Sequence, residues 1–345
     1  MLVIMRQDST EQQAGAVEEQ IRRMGYTPLP VPGENRTAIC VTGNKGAVEP
    51  AFLSQMSGVV ECIPVTKPYK LVSREVHPED TVVRVGNVEV GGESPPVTFI
   101  AGPCSVETES RTLEVARRVR AAGAHIFRAG AYKPRTSPYS FQGLGEEGLH
   151  TLRRVNEEHD LPVVSEVIDS SLAEKVAEHV DILQVGARNM QNFTLLKKLG
   201  ELKRPVLLKR GISATLEEWL MAAEYLLAEG NPNVILCERG VRTFNNHSRN
   251  TLDLNVVPLA RKMTHLPVLV DPSHGVGNRD RVRPLARASL AAGAHGLMVE
   301  VHSHPDTAYS DAQQTIDVET FEGIVKDASI LSQLEGLFRH EGVRS

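Results

Sequence analysis

Short apolar runs alternate with amphipathic stretches along almost the whole chain, and the rhythm of that alternation changes near residue 97. Before it, LVIMR (2–6) has strand character, and STEQQAGAVEEQIRRMG carries a Ser9/Thr10 cap and stops at Gly25, as a helix should. TPLPV and TAICV then flank a Pro-Gly-Glu-Asn turn, AVEPAFLSQM (47–56) predicts a second helix, and VVECIPV a last strand. This βαββαβ order predicts a ferredoxin-like module over residues 1–66. Residues 67–96 form a proline-rich connector in which VVRV-GN-VEV alternates around Gly86-Asn87 and predicts a tight hairpin.

From Val97 to the end, eight apolar strand candidates follow one another: 97–101, 125–129, 162–167, 181–186, 205–210, 233–238, 267–271 and 295–301. Helical stretches of 3.6-residue period separate most of them, and AAGAH recurs at 121–125 and 291–295 as helix end, glycine stop and next strand. Near-continuous apolar strands alternating with helices predict parallel strands covered by helices. Residues 97–345 are the right length for one (β/α)8 TIM barrel, the predicted fold class being α/β with a small N-terminal ferredoxin-like domain. An open doubly wound sheet is the other arrangement weighed, and no GxGxxG follows the first strand to favour it.

Active sites of such barrels lie at the carboxyl-terminal ends of the strands, and every predicted strand here ends in polar or ionisable groups. One set is cationic: Arg128, Lys133, Arg135, Arg188, Lys209 and Arg239. Six cations at one mouth would repel one another unless anions fill the space, and phosphate or carboxylate groups suit Arg forks and a Lys point charge. The opposing reading has several of them pointing outward to surface carboxylates. A second set is Cys104, His274, Glu300 and Asp311, a mixed sulfur, nitrogen and oxygen sphere suited to a divalent ion such as Mn²⁺, Fe²⁺ or Zn²⁺. Spacing alone does not choose it: His302 and His304 are rival ligands, and the residues unaided favour Cys104 as a small buried hydrophobe and His274 as a satisfied hydrogen-bonding histidine.

Composition narrows the setting. Of 345 residues 41% are hydrophobic and 23% charged, which supports a sizeable core and excludes global disorder. A formal charge of −5 argues against a nucleic-acid partner, and the absence of a long apolar run argues against a membrane span. The opening residues turn polar too soon for a signal peptide, and four scattered cysteines make no disulfide framework, so a cytoplasmic location is expected.

Seven segments taken together, AGPCSVE (101–107), RAGAYKPRTSPYSFQG (128–143), QVGARNMQN (184–192), LLKRG (207–211), ILCERG (235–240), DPSHG (271–275) and MVEVH (298–302), resemble 3-deoxy-D-arabino-heptulosonate 7-phosphate (DAHP) synthases, closest to the subgroup with an N-terminal ferredoxin-like domain. The resemblance covers essentially the whole chain. It implies condensation of phosphoenolpyruvate with erythrose 4-phosphate, the first step toward aromatic amino acids through the shikimate pathway and chorismate, with a divalent metal ion. It assigns Cys104, His274, Glu300 and Asp311 to the metal, and Arg128, Lys133, Arg188, Lys209 and Arg239 to phosphoenolpyruvate. Lys133, Pro134, Arg135 and Thr136 fall on the stretch that receives erythrose 4-phosphate. Lys133 is a candidate proton donor, with His274 or a metal-bound water as competitors, and Glu166 and Glu238 are candidates for steering water or for mere charge balance. Feedback inhibition by tyrosine or phenylalanine through residues 1–66 and a homotetramer are further implications.

The alternative within the same chemistry is 3-deoxy-D-manno-octulosonate 8-phosphate synthase, whose acceptor loop resembles KANRSS where this chain has KPRTS at 133–137. From another class, the barrel would be a non-catalytic regulatory companion of chorismate mutase. The complete complement of cations and ligands argues against that.

Overall fold

The computed structural model of the chain describes residues 1–32, 37–44, 48–63, 68–93, 96–134, 137 and 139–340. By internal contacts the chain divides into two compact units, Met1–Glu79 with Met263–His265, and Asp80–Lys262 with Leu266–Ser345.

The first unit contains β1 (Leu2–Met5), α1 (Glu11–Arg23), β2 (Thr27–Pro32), β3 (Thr37–Thr42) and β4 (Val59–Ile63). Its strands lie in the order β2-β3-β1-β4, every neighbour antiparallel, which is the ferredoxin-like arrangement. Alternation in β1 sends Met1, Val3 and Met5 to one face, where they meet Val17 and Ile21, one helical turn apart on α1. Thr10 caps α1 reciprocally with Gln13. The second predicted helix, over 47–56, is replaced by a single 3-10 turn at Leu53–Gln55. Pro50 explains the difference: it lacks an N–H and its ring clashes with the preceding turn, so no helix can run through it, and Gly58 follows too soon for a new one.

In the second unit β7 (Thr98–Gly102), β8 (Ile126–Arg128), β9 (Val163–Glu166), β10 (Ile182–Val185), β11 (Val206–Lys209), β12 (Val234–Glu238), β13 (Val268–Val270) and β14 (Gly296–Glu300) close into a parallel barrel. They match the eight predicted runs in order. Each is followed by a helix: α2 (Glu109–Ala121), α3 (Glu146–His159), α4 (Ala173–Ala177), α5 (Phe193–Glu201), α6 (Leu216–Ala228), α7 (Val256–Met263), the short α8 (Pro272–Val276) leading to α9 (Val282–Ala291), and α10 (Val318–His340). None of the helices among the described residues is long and apolar enough to cross a membrane.

The hairpin read from alternation is β5 (Val82–Val85) and β6 (Val88–Gly91), paired antiparallel around Gly86-Asn87. Its inward residues Val83, Val85 and Val90 share one buried cluster with Ile100, Ile126, Val164, Ile182, Leu207, Ile235, Leu269 and Met298 from the barrel strands. At Gly91, φ is +95° and a Cβ would meet Thr81 O at 2.5 Å and Pro267 at 2.8 Å, Pro267 being the residue just before β13. The hairpin therefore lies across the amino-terminal ends of the strands and seals that end with aliphatic side chains. The carboxyl-terminal rim is left for chemistry.

Truncating Ile126 to alanine in this seal is expected to cost about 2–5 kcal/mol of stability. The measurement is a shift of the denaturation midpoint at constant m-value, and an unchanged midpoint would mean that the cluster is not close-packed.

Candidate active site

At the end of β7, Gly102 (φ +153°) brings its backbone so close to β8 that a Cβ would lie 2.2 Å from Arg128 O. The turn beyond it buries Cys104, which is 2% exposed. The Cys104 sulfur lies 3.0 Å from Asp311 Oδ2, to which it donates, 3.1 Å from Ser310 Oγ, and 3.0 Å from Lys133 Nζ, which donates to it. Lys133 also donates to the Cys104 carbonyl at 3.1 Å. Glu300, the last residue of β14, receives Arg128 Nη1 on Oε1 at 2.9 Å and Gln314 Nε2 on Oε2 at 2.5 Å. One ligand atom each from Cys104, Glu300 and Asp311 fits within a span of 4.8 Å.

His274 approaches this group from the side of Glu300, its Nε2 being 3.3 Å from Glu300 Oε1. It rides on the short α8, whose N-cap Asp271 accepts the His274 backbone N–H at 2.9 Å and binds His274 Nδ1 at 2.7 Å. Lys209 Nζ closes the other side of Asp271 Oδ2 at 2.6 Å. Asp311 has φ +55°, a left-handed backbone that aspartate tolerates better than most residues.

Burial, joined by the charge of Glu300, pushes the Cys104 thiol up to about 12. Burial also lowers the basicity of His274, against the pull of Asp271 and Glu300, and favours its neutral form. Burial would raise Glu300 and Asp311, yet both lie below the usual carboxylate range. His274 and Arg128 prevail at Glu300; the Cys104 hydrogen bond, His274 and Arg249 prevail at Asp311. A neutral imidazole donating from Nδ1 to Asp271 would turn its Nε2 lone pair toward a carboxylate oxygen, Glu300 Oε1. Lone pairs of nitrogen and oxygen facing each other beside a thiol and a second carboxylate are an arrangement that a divalent cation relieves. The donor set therefore fits a metal ion.

The six expected cations do not form a single group. Arg128 and Lys209 have internal counter-ions, Glu300 and Asp271, so for these two the expectation that bound anions must balance the charge is corrected. Lys133, Arg188 and Arg239 form no ion pair with a carboxylate among the described residues. Arg188 Nη1 donates to Pro134 O at 2.7 Å, and Arg239 Nη1 to Gly240 O at 3.1 Å. Arg239 is 6% exposed, so its charge is dehydrated as well as unpaired. Arg135 and Thr136 lie outside the described residues.

The rival histidines are elsewhere. His302 Nε2 faces Glu107 Oε2 at 3.4 Å, its Nδ1 accepts the His304 N–H at 2.9 Å, and His304 is exposed. Glu238 is fully buried with both oxygens occupied, Oε1 by Gly240 N at 2.6 Å and Oε2 by Arg210 Nη1 at 3.0 Å, so it balances charge. Glu166 accepts from Gln184 Nε2 at 3.4 Å. Sequence reasoning missed Asp271, Arg249 and Gln314 as members of this site. The Asp-Pro-Ser-His spacing carried a signal for the first, since a strand-end aspartate three residues before a histidine can cap the turn and hold the ring together. Nothing marks the other two.

A profile of the DAHP synthetase I family matches residues 78–335, and one for the DAHP synthase ferredoxin-like domain matches residues 1–67. The chain is 47% identical to a phospho-2-dehydro-3-deoxyheptonate aldolase of Thermotoga maritima, over 98% of this chain and 99% of that one. A 2-dehydro-3-deoxyphosphooctonate aldolase of Geobacter sulfurreducens is 32% identical over 71% of this chain and 95% of its own. Among solved structures, the Thermotoga maritima DAHP synthase superposes with a TM-score of 0.77 at 46% identity, covering 97% of this chain and 98% of that one. A truncated form of it superposes at 0.72, with 48% identity, covering 78% of this chain and 98% of its own.

Asp271→Ala leaves Lys209 buried without its partner and is expected to destabilise the protein by about 3–5 kcal/mol. Adding Lys209→Met should restore a large part of that loss in chemical denaturation. Equal destabilisation of the single and double variants would show that the buried pair is not the cause.

Proposed function

Because the chain belongs to the DAHP synthetase I family and is a DAHP synthase, we propose that its barrel mouth joins phosphoenolpyruvate to erythrose 4-phosphate around a divalent metal ion held by Cys104, His274, Glu300 and Asp311. The observation that carries this reading is the sulfur and oxygen donor cluster of Cys104, Glu300 and Asp311, with His274 Nε2 3.3 Å from Glu300 Oε1, beside Lys133, Arg188 and Arg239, none of which is ion-paired to a carboxylate among the described residues. The two substrates bring two phosphates and a carboxylate, and these anions match such cations.

When bound, the ion supplies Lewis acidity and a fixed charge that orients the aldehyde. Lys133, Arg188 and Arg239 hold the enol phosphate and its carboxylate, with Arg128 and Lys209 lending the positive ends of their internal pairs. Pro134, Arg135 and Thr136 with Lys133 receive the aldose phosphate. Held in attack geometry, C3 of phosphoenolpyruvate forms a bond to the aldehyde carbon, and a bimolecular step becomes nearly unimolecular. The aldehyde oxygen takes up a proton as it becomes a hydroxyl. Lys133 is the donor in this scheme: burial opposes its charge, but Cys104 and Glu166 hold its ammonium above the ordinary lysine range, and an alkoxide is a far stronger base than the amine left behind. The attack leaves C2 electron-deficient; water adds there and gives up one proton, which restores the Lys133 ammonium. The C2–O bond to phosphate then breaks as the new hydroxyl becomes the ketone and its proton leaves with the phosphate.

The Geobacter sulfurreducens octulosonate relative matches 71% of this chain, whereas the Thermotoga maritima relative matches 98%. With erythrose 4-phosphate and arabinose 5-phosphate offered side by side, phosphate release is expected only with the tetrose; turnover of the pentose alone would overturn the assignment. EDTA is expected to abolish that release and Mn²⁺ to restore it, and Cys104→Ala to lose both metal and activity. Full turnover by metal-free enzyme would refute the metal's role.

For residues 1–66 the same family membership supports feedback control by tyrosine or phenylalanine. A truncated relative superposes on 78% of this chain, which supports a barrel that stands without the module. Deleting residues 1–66 should preserve turnover and erase inhibition, and a truncated enzyme that is still inhibited would remove the module from regulation.

A further inference from the structure

Glu300 and Asp311 each turn one oxygen toward the donor cluster and one away from it. The inner atoms are Glu300 Oε1, 3.3 Å from His274 Nε2, and Asp311 Oδ2, 3.0 Å from the Cys104 sulfur. The outer atoms are taken by two side chains from different loops. Gln314 Nε2 donates to Glu300 Oε2 at 2.5 Å, and Arg249 Nη1 donates to Asp311 Oδ1 at 3.3 Å. The same Arg249 nitrogen donates to Gln314 Oε1 at 3.0 Å, so the two holders are tied to each other. Gln314 is 2% exposed, whereas the Arg249 side chain is 46% exposed. Beside them a solvent-open cavity of about 730 Å³ is lined by Asn278, Arg249, Asp311 and Gln314 among others, so an outer oxygen released there would be open to solvent.

We propose that Arg249 and Gln314 are positioning residues that occupy the outer oxygens of both carboxylate ligands, so that Glu300 and Asp311 each present one fixed oxygen to the metal. The proposal rests on the metal reading given above. Its physical basis is that a carboxylate held on one oxygen by a donor is restricted in rotation and in denticity, so less ordering remains to be done when the ion arrives. The amide of Gln314 suits this task because it alone offers a donor to Glu300 and an acceptor to Arg249 at opposite atoms. An arginine suits the outer place because its charge opposes any drift of Asp311 toward water.

The experiment measures Mn²⁺ affinity by chelator competition and the thiolate-to-Co²⁺ absorption band of Co²⁺-loaded protein, in the full-length wild type and in Gln314→Leu, Arg249→Met and Arg249→Lys. Gln314→Leu and Arg249→Met are expected to bind Mn²⁺ about 10–100-fold more weakly and to alter the Co²⁺ band. Arg249→Lys should recover part of the loss. Arg249 is half exposed, so Arg249→Met should keep the metal-free melting temperature even if Gln314→Leu disturbs folding. Wild-type affinity and an unaltered band in Arg249→Met would overturn the proposal. Absence of any thiolate band in the wild type would instead overturn the metal reading, and the positioning role with it.

Discussion

A carboxylate stripped of water must find positive charge or hydrogen-bond donors, and at the carboxyl-terminal rim of this barrel that requirement governs almost every neighbour. Glu300 is 1% exposed and Asp271 0%. Each is met by a cation from another strand, Glu300 by Arg128 of β8 and Asp271 by Lys209 of β11, so the charges are held across the ring rather than along one strand. Closure of the sheet makes this possible, because it places β14 beside β7 and lets residues far apart in the chain share one small volume. Ion pairs on the helices, such as Arg153 with Glu157, are exposed and contribute little by comparison.

The internal pairs also sort the rim into two kinds of cation. Arg128 and Lys209 have a resident partner and serve to hold carboxylates in place. Lys133, Arg188 and Arg239 have none among the described residues, so no carboxylate of the chain there neutralises their charge. The orienting of His274 belongs to the first kind of work. Asp271 binds Nδ1 and, itself held by Lys209, sets the direction in which the other ring nitrogen faces.

How much of this was legible in the sequence depends on the distance over which each feature is decided. The barrel strands are buried on both faces and so appear as continuous apolar runs, and β1 and β3 of the ferredoxin-like module are short apolar runs as well, with four successive residues buried in β3. The second helix of that module failed at Pro50, a local rule that the apolar pattern around it outweighed in the reading. Strand-end residues such as Cys104, Arg128 and Glu300 were legible because the fold directs attention to those positions. Their partners were not. Cys104 meets Asp311 across 207 positions and Lys209 meets Asp271 across 62, and no spacing in one chain records such encounters. The count of unbalanced cations was too high for the same reason. The hairpin's alternation was plain, but the aliphatic residues it covers come from eight separate strands.

The left-handed backbone at Asp311 narrows which side chains can serve there. Glycine enters that conformation freely and asparagine, aspartate and histidine more readily than other residues, and of these aspartate alone brings a negative charge. A glutamate would add reach that the crowded space beside Cys104 does not need, together with conformational strain, and a histidine would lose the anion. The chain's path at one residue thus narrows the side chain before any contact does, and an exchange of that carboxylate would have to begin with the loop rather than with the side chain.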